Sequence, residues 1–351
     1  MALAWHLERF GITGELVSLD VSNRSTAIAR ERAASAGIGN TEFRVGAIED
    51  LPIDGSGMFD YIDCSGILNH VVDPVAALAR LARVLVPGGG MGVMAYGALG
   101  RTGVYPAQEA LRLLAKAEPV TADLARLFVE GLPDENWLRK NAAFAGVANT
   151  DDVELADILL NPRDRAFSVR DLVTLFAGQG LAIRTFLPPV MYDPVPVLRE
   201  PTLRERANNL SQVERWCLAE LMQGTLNKHV FYAVKKNAES GEIMSLLDDP
   251  ETLMIPHGMN PSALAQAVLD AGREDQPVGI QFMVDGRQRS MAVSFSVAEL
   301  AIMRLIEGPT AVRTIVERLG DKIDPPIVHD ALRRVVTVFE KVAGLHLMRL
   351  G

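Results

Sequence analysis

The sequence predicts an α/β protein with a doubly wound, mostly parallel sheet, followed by a second, smaller α+β unit. Strand and helix patterns alternate through roughly the first hundred of its 351 residues, which is the order that a parallel sheet with helices on its faces requires. A polar segment at 237–242 then separates this part from the remainder. We therefore expect two domains, 1–236 and 245–351, with a helical insertion at 97–166 in the first.

Composition narrows the class of protein. Hydrophobic residues make up 48% of the chain and charged residues 23%, which is typical of a globular protein with a sizeable core. A formal net charge of −9 argues against a nucleic-acid or anionic-membrane surface, and no apolar run approaches the roughly 20 residues that span a bilayer. Only two cysteines, Cys64 and Cys217, are present, which indicates a reducing, cytoplasmic setting. We expect a small molecule as the partner, and a homodimer is left open.

The first domain is organised around the stretch from residue 59 to residue 96. Phe59–Ser65 is a short apolar run with β-branched and aromatic residues, which favours a strand. Asp73 and Pro74 mark a helix start, and Pro87–Gly90 predicts its end. Met91–Tyr96 is the next apolar strand. One apolar helix face is formed by residues at helical spacing: Leu78, Leu81, Ala82 and Leu85.

Flanking patterns extend the alternation. A helix over 2–10, a strand at Glu15–Asp20, a helix at Arg24–Ala36 and a strand at Thr41–Val45 precede the central stretch. After the insertion we expect a helix, a strand, an irregular proline-rich segment, a helix and a strand, at 168–178, 181–186, 188–201, 211–222 and 229–234. The last two strands suit an antiparallel edge of the same sheet.

The sequence FDYIDCSGILNH, then a helix, then ARVLVPGGGMGVM resembles the centre of class I S-adenosylmethionine-dependent methyltransferases, which have a Rossmann-like fold. The resemblance covers about the first hundred residues well and Phe167–Lys235 more loosely. It implies S-adenosylmethionine as cofactor and methyl transfer to a small-molecule nucleophile. Such a displacement mainly requires alignment of the reacting atoms and exclusion of water, so few catalytic side chains are expected.

The chain departs from that family at its start. Family members begin with a central strand and a glycine-rich loop, and Met1 stands where that loop would end. The strands at 15–20 and 41–45 therefore lack a strand that links them to Phe59–Ser65. The sequence leaves three explanations open: a shortened chain, another segment or subunit that fills the gap, and a degenerate domain that no longer binds cofactor.

The resemblance implies cofactor contacts at the ends of the first two strands. Asp20, followed by Val21, occupies the position of the acid that accepts hydrogen bonds from both ribose hydroxyls, a role that suits the two carboxylate oxygens. Alternatively, Asp20 only ends the strand and caps the next turn. Ala47, Ile48 and Glu49 match the adenine loop, where family members usually have Asp at the position of Ala47. Adenine contact would then come from backbone N–H groups near Ala47 and Ile48 or from Glu49, unless this is a plain acidic loop.

A third set of cofactor residues ends the strand at 59–65. Ligands in such sheets bind beyond the carboxyl ends of the strands, so the backbone at Cys64, Ser65 and Gly66 would pass the methionine part of the cofactor. Cys64 itself is expected to be a small core residue rather than a nucleophile.

Substrate residues are expected above the same edge. Asn69 and His70 follow where family members often carry a polar pair, and His70 is the candidate general base, although a histidine at a helix entrance is commonly structural. Tyr96, Arg101 and Tyr105 follow the next strand and could hold an acidic or aromatic substrate, with Arg101 suited to a carboxylate or phosphate. The alternative for Arg101 is a solvated loop residue. No His, Cys or acidic cluster has metal-ligand spacing.

The unit at 245–351 has the element order of a winged-helix-like module. A helix at 261–271, a hairpin around Asp285-Gly286, helices at 297–306, 310–319 and 326–342 and a strand at 345–350 are predicted. It contains eleven Lys and Arg against fourteen Asp and Glu, which weakens a nucleic-acid role. Three hypotheses result: a methyltransferase with an accessory domain, a non-catalytic relative that binds or regulates, and a winged-helix nucleic-acid binder.

Overall fold

The computed structural model describes residues 2–9, 13–51, 57–116, 118–235, 243–284, 287–320, 322–342 and 345–348. After helix α1 (Ala2–Arg9), strand β1 (Leu16–Asp20), helix α2 (Asn23–Ser35) and strand β2 (Thr41–Val45) form a parallel two-stranded unit. Asp20 is the register partner of Val45, so the carboxyl ends of β1 and β2 lie at one edge. Helix α2 begins at Ser22, whose hydroxyl oxygen accepts the Ser25 N–H at 3.1 Å.

The main sheet has four strands in the order β3-β4-β6-β5. Strand β3 (Phe59–Ser65) and strand β4 (Leu85–Tyr96) are parallel and joined by helix α3 (Pro74–Val84). Strand β5 (Leu181–Leu187) and strand β6 (Lys228–Lys235) add an antiparallel edge, with β6 paired to β4. The predicted strand–helix–strand unit and the antiparallel edge are therefore present, in a mixed Rossmann-like sheet.

Helix α3 ends earlier than the sequence predicts. Pro87–Gly90 does not stop the helix but lies inside β4, because Leu85 already pairs with Phe59 at the start of β3. The register then jumps, and Tyr61 pairs with Gly90. Gly89 lies in this bulge, where a Cβ would approach the Asp60 carbonyl oxygen to 2.9 Å, so this glycine allows close strand contact.

Among the described residues, no hydrogen-bonded ladder joins the two sheets. A 3₁₀ turn after β2, Ile48–Asp50, connects them instead by packing on α3. Arg80 of α3 donates from Nη1 to the Leu51 carbonyl oxygen at 2.8 Å, and the side chains of Ile48 and Leu51 pack against the core of the main sheet.

The insertion between β4 and β5 has its own hydrophobic core. Helices α4 (Val104–Ala115), α5 (Ala122–Glu130), α6 (Trp137–Lys140) and α7 (Asp152–Leu155) surround it, and α7 continues into a π-helical turn, Ala156–Leu160. The core residues are Val104, Ala107, Leu111, Ala125, Val129, Leu138, Phe144, Val147, Leu155 and Leu159. Gly103, with φ of 95°, packs directly against the backbone at Leu138, where a Cβ would clash.

Two helices pack against the core of the main sheet near β5 and β6. Helix α8 (Val169–Gly178) begins at the Ser168 cap, and helix α10 (Gln212–Gln223) begins at Ser211 in the same way. The segment at 188–201 was predicted to be irregular; it contains a 3₁₀ turn, Pro189–Tyr192. Pro201 then starts the unpredicted helix α9 (Pro201–Asn208), because proline fits the first helical position.

The C-terminal unit contains two small sheets and four helices within the described residues. Strand β7 (Leu253–Pro256), which was not predicted, lies between β10 (Thr310–Ala311) and β11 (Leu345–Met348). Strands β8 (Val278–Val284) and β9 (Arg287–Val293) form the predicted hairpin, whose turn Asp285-Gly286 lies outside the described residues. The helices are α11 (Pro261–Asp270), α12 (Val297–Arg304), α13 (Val312–Gly320) and α14 (Pro325–Lys341). No helix in the described part of the chain is long and apolar enough to cross a membrane.

A buried polar group links four elements of the first domain. The Glu220 carboxylate on α10 accepts the Val169 N–H of α8 at 2.9 Å, and its other oxygen lies 3.2 Å from His229 Nε2 on β6. His229 Nδ1 lies 2.8 Å from the Tyr192 hydroxyl, and the side chains of all three residues are almost fully buried. Since buried polar groups are costly when unpaired, this group fixes how α8, α10 and β6 meet.

We expect Glu220→Ala to lower the free energy of unfolding by about 3 kcal/mol, because it leaves His229 and the Val169 N–H buried without their partner. Glu220→Gln should cost about 1 kcal/mol, since the amide oxygen can still accept the Val169 N–H. Urea denaturation followed by circular dichroism measures both, with the exposed Glu31→Ala as control. Equal, small losses for all three variants would contradict a structural role for the group.

Candidate active site

The carboxyl edge of β1 and β2 carries the predicted ribose and adenine residues. Asp20 is exposed, and its Oδ1 accepts the Ser22 N–H at 2.7 Å. Its Oδ2 has no hydrogen-bond partner in the described part of the chain, so one carboxylate oxygen is available for a ribose hydroxyl. Val21 beside it is 73% exposed, and the Gly46 N–H donates to the Asp20 carbonyl oxygen, which holds the adenine loop against this end of β1.

The adenine loop is constrained in a way that the sequence did not reveal. The Ala47 N–H donates to the Asp50 carboxylate at 2.7 Å, and the Asp50 N–H donates back to the Ala47 carbonyl oxygen at 3.0 Å. The Ala47 N–H, one of the groups expected to meet the adenine, is thus already used within the loop. Ile48 packs inward, which leaves the exposed Glu49 as the side chain directed to solvent.

Cys64, Ser65 and Gly66 form the end of β3, as expected. Cys64 is 2% exposed, and burial raises the pKa of its thiol to about 12, which agrees with a core residue and not a nucleophile. The Ser65 hydroxyl donates to Asp63 Oδ1 at 2.6 Å. Gly66, with φ of 73°, turns the chain away while its N–H still donates to the Met94 carbonyl oxygen of β4.

The insertion returns to the main sheet through a short segment, residues 163–167, which we call the return segment. The Phe167 N–H donates to the Tyr96 carbonyl oxygen at 2.8 Å, and the Ala98 N–H donates to the Phe167 carbonyl oxygen at 3.0 Å. Asn69, 1% exposed, binds the same segment. Its side-chain Nδ2 donates to the Arg165 carbonyl oxygen at 2.6 Å, and its backbone carbonyl oxygen accepts the Arg165 N–H. The structure therefore gives Asn69 a positioning role at the end of β3.

His70 lies between the return segment and the end of β4. Its Nδ1 is 2.9 Å from the Arg163 carbonyl oxygen and 3.1 Å from the Asn161 Nδ2, and its ring meets the Tyr96 ring edge-on at 5.6 Å. When Nδ1 is protonated it donates to the Arg163 carbonyl oxygen, and Nε2 carries the lone pair of the neutral ring. When Nδ1 is unprotonated it accepts from the Asn161 amide instead, and Nε2 carries the proton. Nε2 has no hydrogen-bond partner among the described residues, so the first of these tautomers suits a general base.

Arg101 is not a solvated loop residue. It is 4% exposed, and its Nη2 lies 2.5 Å from Oδ2 of Asp164, whose side chain is fully buried. The guanidinium lies over the Tyr96 ring at 4.1 Å and near the rings of Tyr105 and Phe144. Its charge is thus directed to Asp164, and its predicted contact with an acidic substrate stays a prediction.

Two tyrosines complete this cluster. The Tyr96 hydroxyl donates to Asp157 Oδ2 at 2.9 Å, and burial together with this carboxylate raises the pKa of Tyr96 well above its usual value. Burial also raises the pKa of Tyr105 to about 12. Both phenols therefore stay protonated near neutral pH. Tyr96 donates to Asp157, whereas the buried Tyr105 hydroxyl has no hydrogen-bond partner in the described part of the chain.

Sequence reasoning missed the insertion's contributions to this region. Asp157 accepts a hydrogen bond from Tyr96 at the end of β4, and Asp164 pairs with Arg101 just after it. Gln108 Nε2 donates to Asp164 Oδ2 at 3.0 Å and to the Ile158 carbonyl oxygen. Asn161 contacts His70. All lie roughly 50 to 90 positions from their partners, so no local pattern could indicate them. The structure does contain a π-helical turn around Asp157, a feature often found at functional sites, but the sequence alone does not show it.

In the described ranges, no three His, Cys, Asp or Glu side chains are arranged to hold a metal ion.

A family model described as "Methyltransferase domain" matches residues 2–118. These residues contain β1 to β4 and the start of the insertion, and therefore the edge that carries Asp20, Ala47 and Cys64. The match agrees with the resemblance in the central stretch. Residues 2–118 are therefore similar to methyltransferase domains, the class whose cofactor is S-adenosylmethionine.

Two curated relatives show how far the likeness extends. An uncharacterised protein from Synechococcus is 27% identical over 237 residues, which cover 65% of this chain and 56% of that protein. The ubiquinone biosynthesis O-methyltransferase of Xanthomonas axonopodis pv. citri is 32% identical over 75 residues, 21% of this chain and 31% of that enzyme. The chain thus spans about half or less of the length of these relatives.

Solved structures support the fold beyond the matched region. PKMT2 from Rickettsia typhi superposes on 99% of this chain and 68% of its own, with a TM-score of 0.62 and 16% identity. Its complex with AdoHcy covers 95% of this chain and 67% of its own, with the same TM-score and identity. At this identity the likeness shows a shared architecture.

We expect Cys64 to resist alkylation by iodoacetamide at pH 8 in the folded protein, because a thiol with a pKa near 12 has almost no thiolate at that pH. Burial also raises the pKa of Cys217. Mass spectrometry should therefore find both thiols unmodified in buffer and both alkylated in urea. Rapid labelling of Cys64 in buffer would contradict the core assignment.

We expect Arg101→Met to lower the free energy of unfolding by about 3 kcal/mol, because it leaves the Asp164 carboxylate buried without its cation. The double variant Arg101→Met/Asp164→Leu should recover a large part of that loss, since both charges are removed. Urea denaturation of the two single variants and the double variant gives the coupling free energy. Additive losses would show that the two charges do not interact.

Proposed function

We propose that the chain transfers a methyl group from S-adenosylmethionine to a small-molecule nucleophile, with the insertion as a lid. The observation that supports this most is the placement of Asn69, His70 and Tyr96 together under the return segment, at the carboxyl ends of β3 and β4 of a methyltransferase domain. The cofactor, when bound, supplies an electrophilic methyl group on a sulfonium.

The residues of this chain then have separate roles in the proposal. Asp20 would hold the ribose through its free carboxylate oxygen, and the backbone at Cys64–Gly66 would flank the methionine part. His70 Nε2 would accept the proton that the nucleophile loses, while the Arg163 carbonyl keeps Nδ1 protonated. The lid, anchored by the buried Arg101–Asp164 pair, would exclude water.

The C-terminal unit is proposed to be a winged-helix-like accessory domain, supported by the order α12, β10, α13, α14, β11. Nucleic-acid binding gains no support there, because Arg333 and Arg334 of α14 pair with Asp248 and Glu299. A cytoplasmic location is likewise proposed, on the basis of two free, buried cysteines.

Calorimetric titration with S-adenosylhomocysteine tests the proposal. We expect saturable binding that weakens about 10-fold or more in Asp20→Ala, because a charge-assisted hydrogen bond to a ribose hydroxyl is lost. Asp330→Ala, an exposed acid of the C-terminal unit, is the matched control and should bind like the parent chain.

The absence of binding by the parent chain would contradict the proposal for this chain. Binding that is equal in Asp20→Ala and Asp330→Ala would leave the cofactor assignment intact but remove the ribose role of Asp20.

A further inference from the structure

The return segment carries two arginines whose side chains have no partner in the described part of the chain. Arg163 and Arg165 are both exposed, and neither guanidinium makes a hydrogen bond or an ion pair with a described residue. The side chain of Asp164, which stands between them, is fully buried. The two arginines therefore share the solvent side of the return segment.

The backbone of both arginines lies against the proposed active site. The Arg163 carbonyl oxygen is 2.9 Å from His70 Nδ1, and the Arg165 backbone makes two hydrogen bonds with Asn69. An arginine side chain has a long, flexible stem, so guanidinium groups that start here can reach a molecule bound beside His70. The buried Asp164 holds the segment, so the starting points of both side chains are fixed.

The carboxylates of the insertion that approach this region already have partners. Asp164 accepts from Arg101, and Asp157 accepts from the Tyr96 hydroxyl. The two arginines of the return segment thus keep a positive charge that no described carboxylate pairs with. In a chain with a net charge of −9, this local excess of positive charge favours an anion.

The side of the site that is predicted to bind the cofactor has the opposite charge. Asp20 and Glu49 are exposed at the carboxyl edge of β1 and β2, and Asp63 is exposed on β3. S-adenosylmethionine carries a positive sulfonium, so these acidic groups suit the cofactor. The arginines on the other side would then face the methyl acceptor, and complementary charge favours an acceptor that is negative.

An unpaired hydrogen-bond acceptor lies beside the return segment. Asn69 is 1% exposed, and its Nδ2 donates to the Arg165 carbonyl oxygen. Its Oδ1 is buried and has no hydrogen-bond partner within the described ranges. Because a buried acceptor without a donor costs free energy, a ligand that supplies a hydroxyl group would be favoured there.

We propose that the methyl acceptor is a small organic anion, with a carboxylate bound by Arg163 and Arg165 and a hydroxyl group directed to Asn69 and His70. This proposal rests on the proposed function and names its substrate class. Arginine suits the role, because its planar guanidinium can bind a carboxylate through two parallel hydrogen bonds.

Saturation-transfer NMR with matched probes, with and without S-adenosylhomocysteine, tests the preference for charge. We expect para-hydroxyphenylacetate to bind saturably, and the neutral para-hydroxyphenylacetamide to bind about 5-fold more weakly, because exposed charge contacts are lost. Phenylacetate should also bind more weakly, since it lacks the hydroxyl group. Added salt should weaken the anion and leave the amide unchanged.

Arg163→Met and Arg165→Met should each weaken para-hydroxyphenylacetate about 5-fold and leave the amide unchanged. Both variants should fold, because the contacts with His70 and Asn69 are made by the backbone of the segment. Arg318→Met, at an exposed position of α13, is the matched control and should change neither affinity. The double charge reversal Arg163→Glu/Arg165→Glu should shift the preference to tyramine, a cation of similar shape.

The proposal is overturned if para-hydroxyphenylacetate does not bind saturably to the parent chain, or if the amide binds equally well. Equal affinities in Arg163→Met, Arg165→Met and Arg318→Met would overturn the assignment of the carboxylate to the return segment. Equal binding of phenylacetate would remove the hydroxyl group from the substrate class.

Titration of the same variants with S-adenosylhomocysteine separates this proposal from the proposed function. Binding of S-adenosylhomocysteine without any preference for the anion would overturn the substrate class alone. Anion binding that depends on the two arginines, in a chain that does not bind S-adenosylhomocysteine, would support the anion site and overturn the methyltransferase proposal.

Discussion

The buried ion pair between Arg101 and Asp164 is the constraint on which the arrangement of the insertion depends. Taking both charges out of water costs several kcal/mol per ion, so the pair is stable only when its geometry and supporting contacts are good. Gln108 adds a hydrogen bond to Asp164, and the Tyr96 ring covers the guanidinium. These contacts bring the start and the end of a 70-residue insertion together beside the end of β4. Because Asp164 belongs to the return segment, the core of the insertion has little freedom to move without exposing a charge pair.

The residues predicted to bind the cofactor are held together less firmly than the insertion. Its predicted ligands are divided between two sheets, with Asp20 and Ala47 on one and Cys64 on the other. Among the described residues, a 3₁₀ turn that packs on α3 and the Arg80–Leu51 hydrogen bond connect the two sheets. Regions with few buried contacts open at low free-energy cost, and ligand sites are often found there. A cofactor that contacted both sheets would supply the contacts that the sheets do not make with each other, and cofactor binding and sheet association would then be coupled.

The parts that the sequence predicts are those set by local pattern. The strands Thr41–Val45 and Phe59–Ser65 have the predicted bounds. The first alternates β-branched or aromatic residues with charged ones before Gly46, and the second is a largely apolar run between Gly57 and Gly66. The end of α3 was wrong, because pairing of Leu85 with Phe59 overrides the helix-stop signal at Pro87. The partners of Tyr96, His70 and Arg101 could not be predicted, since Asp157, Asn161 and Asp164 reach them only through tertiary packing. Burial of Cys64 was predictable, as its position within an apolar strand indicates.

Strand β6 pairs with the end of β4, where the predicted active site lies, and it also lines a cavity between the first domain and the C-terminal unit. Its alternate residues face opposite sides: His229 and Phe231 lie in the core, while Lys228 and Val230 line the interdomain cavity. Lys228 is also the register partner of Tyr96, and the Gly97 N–H donates to the Asn227 carbonyl oxygen. Gly97 and Gly100 pack so closely on the backbone at Leu226 that a Cβ at either would clash, so the start of the insertion is in close backbone contact with the start of β6. A displacement of β6 at the cavity therefore has a direct backbone path to Tyr96, and through the Tyr96 ring to His70.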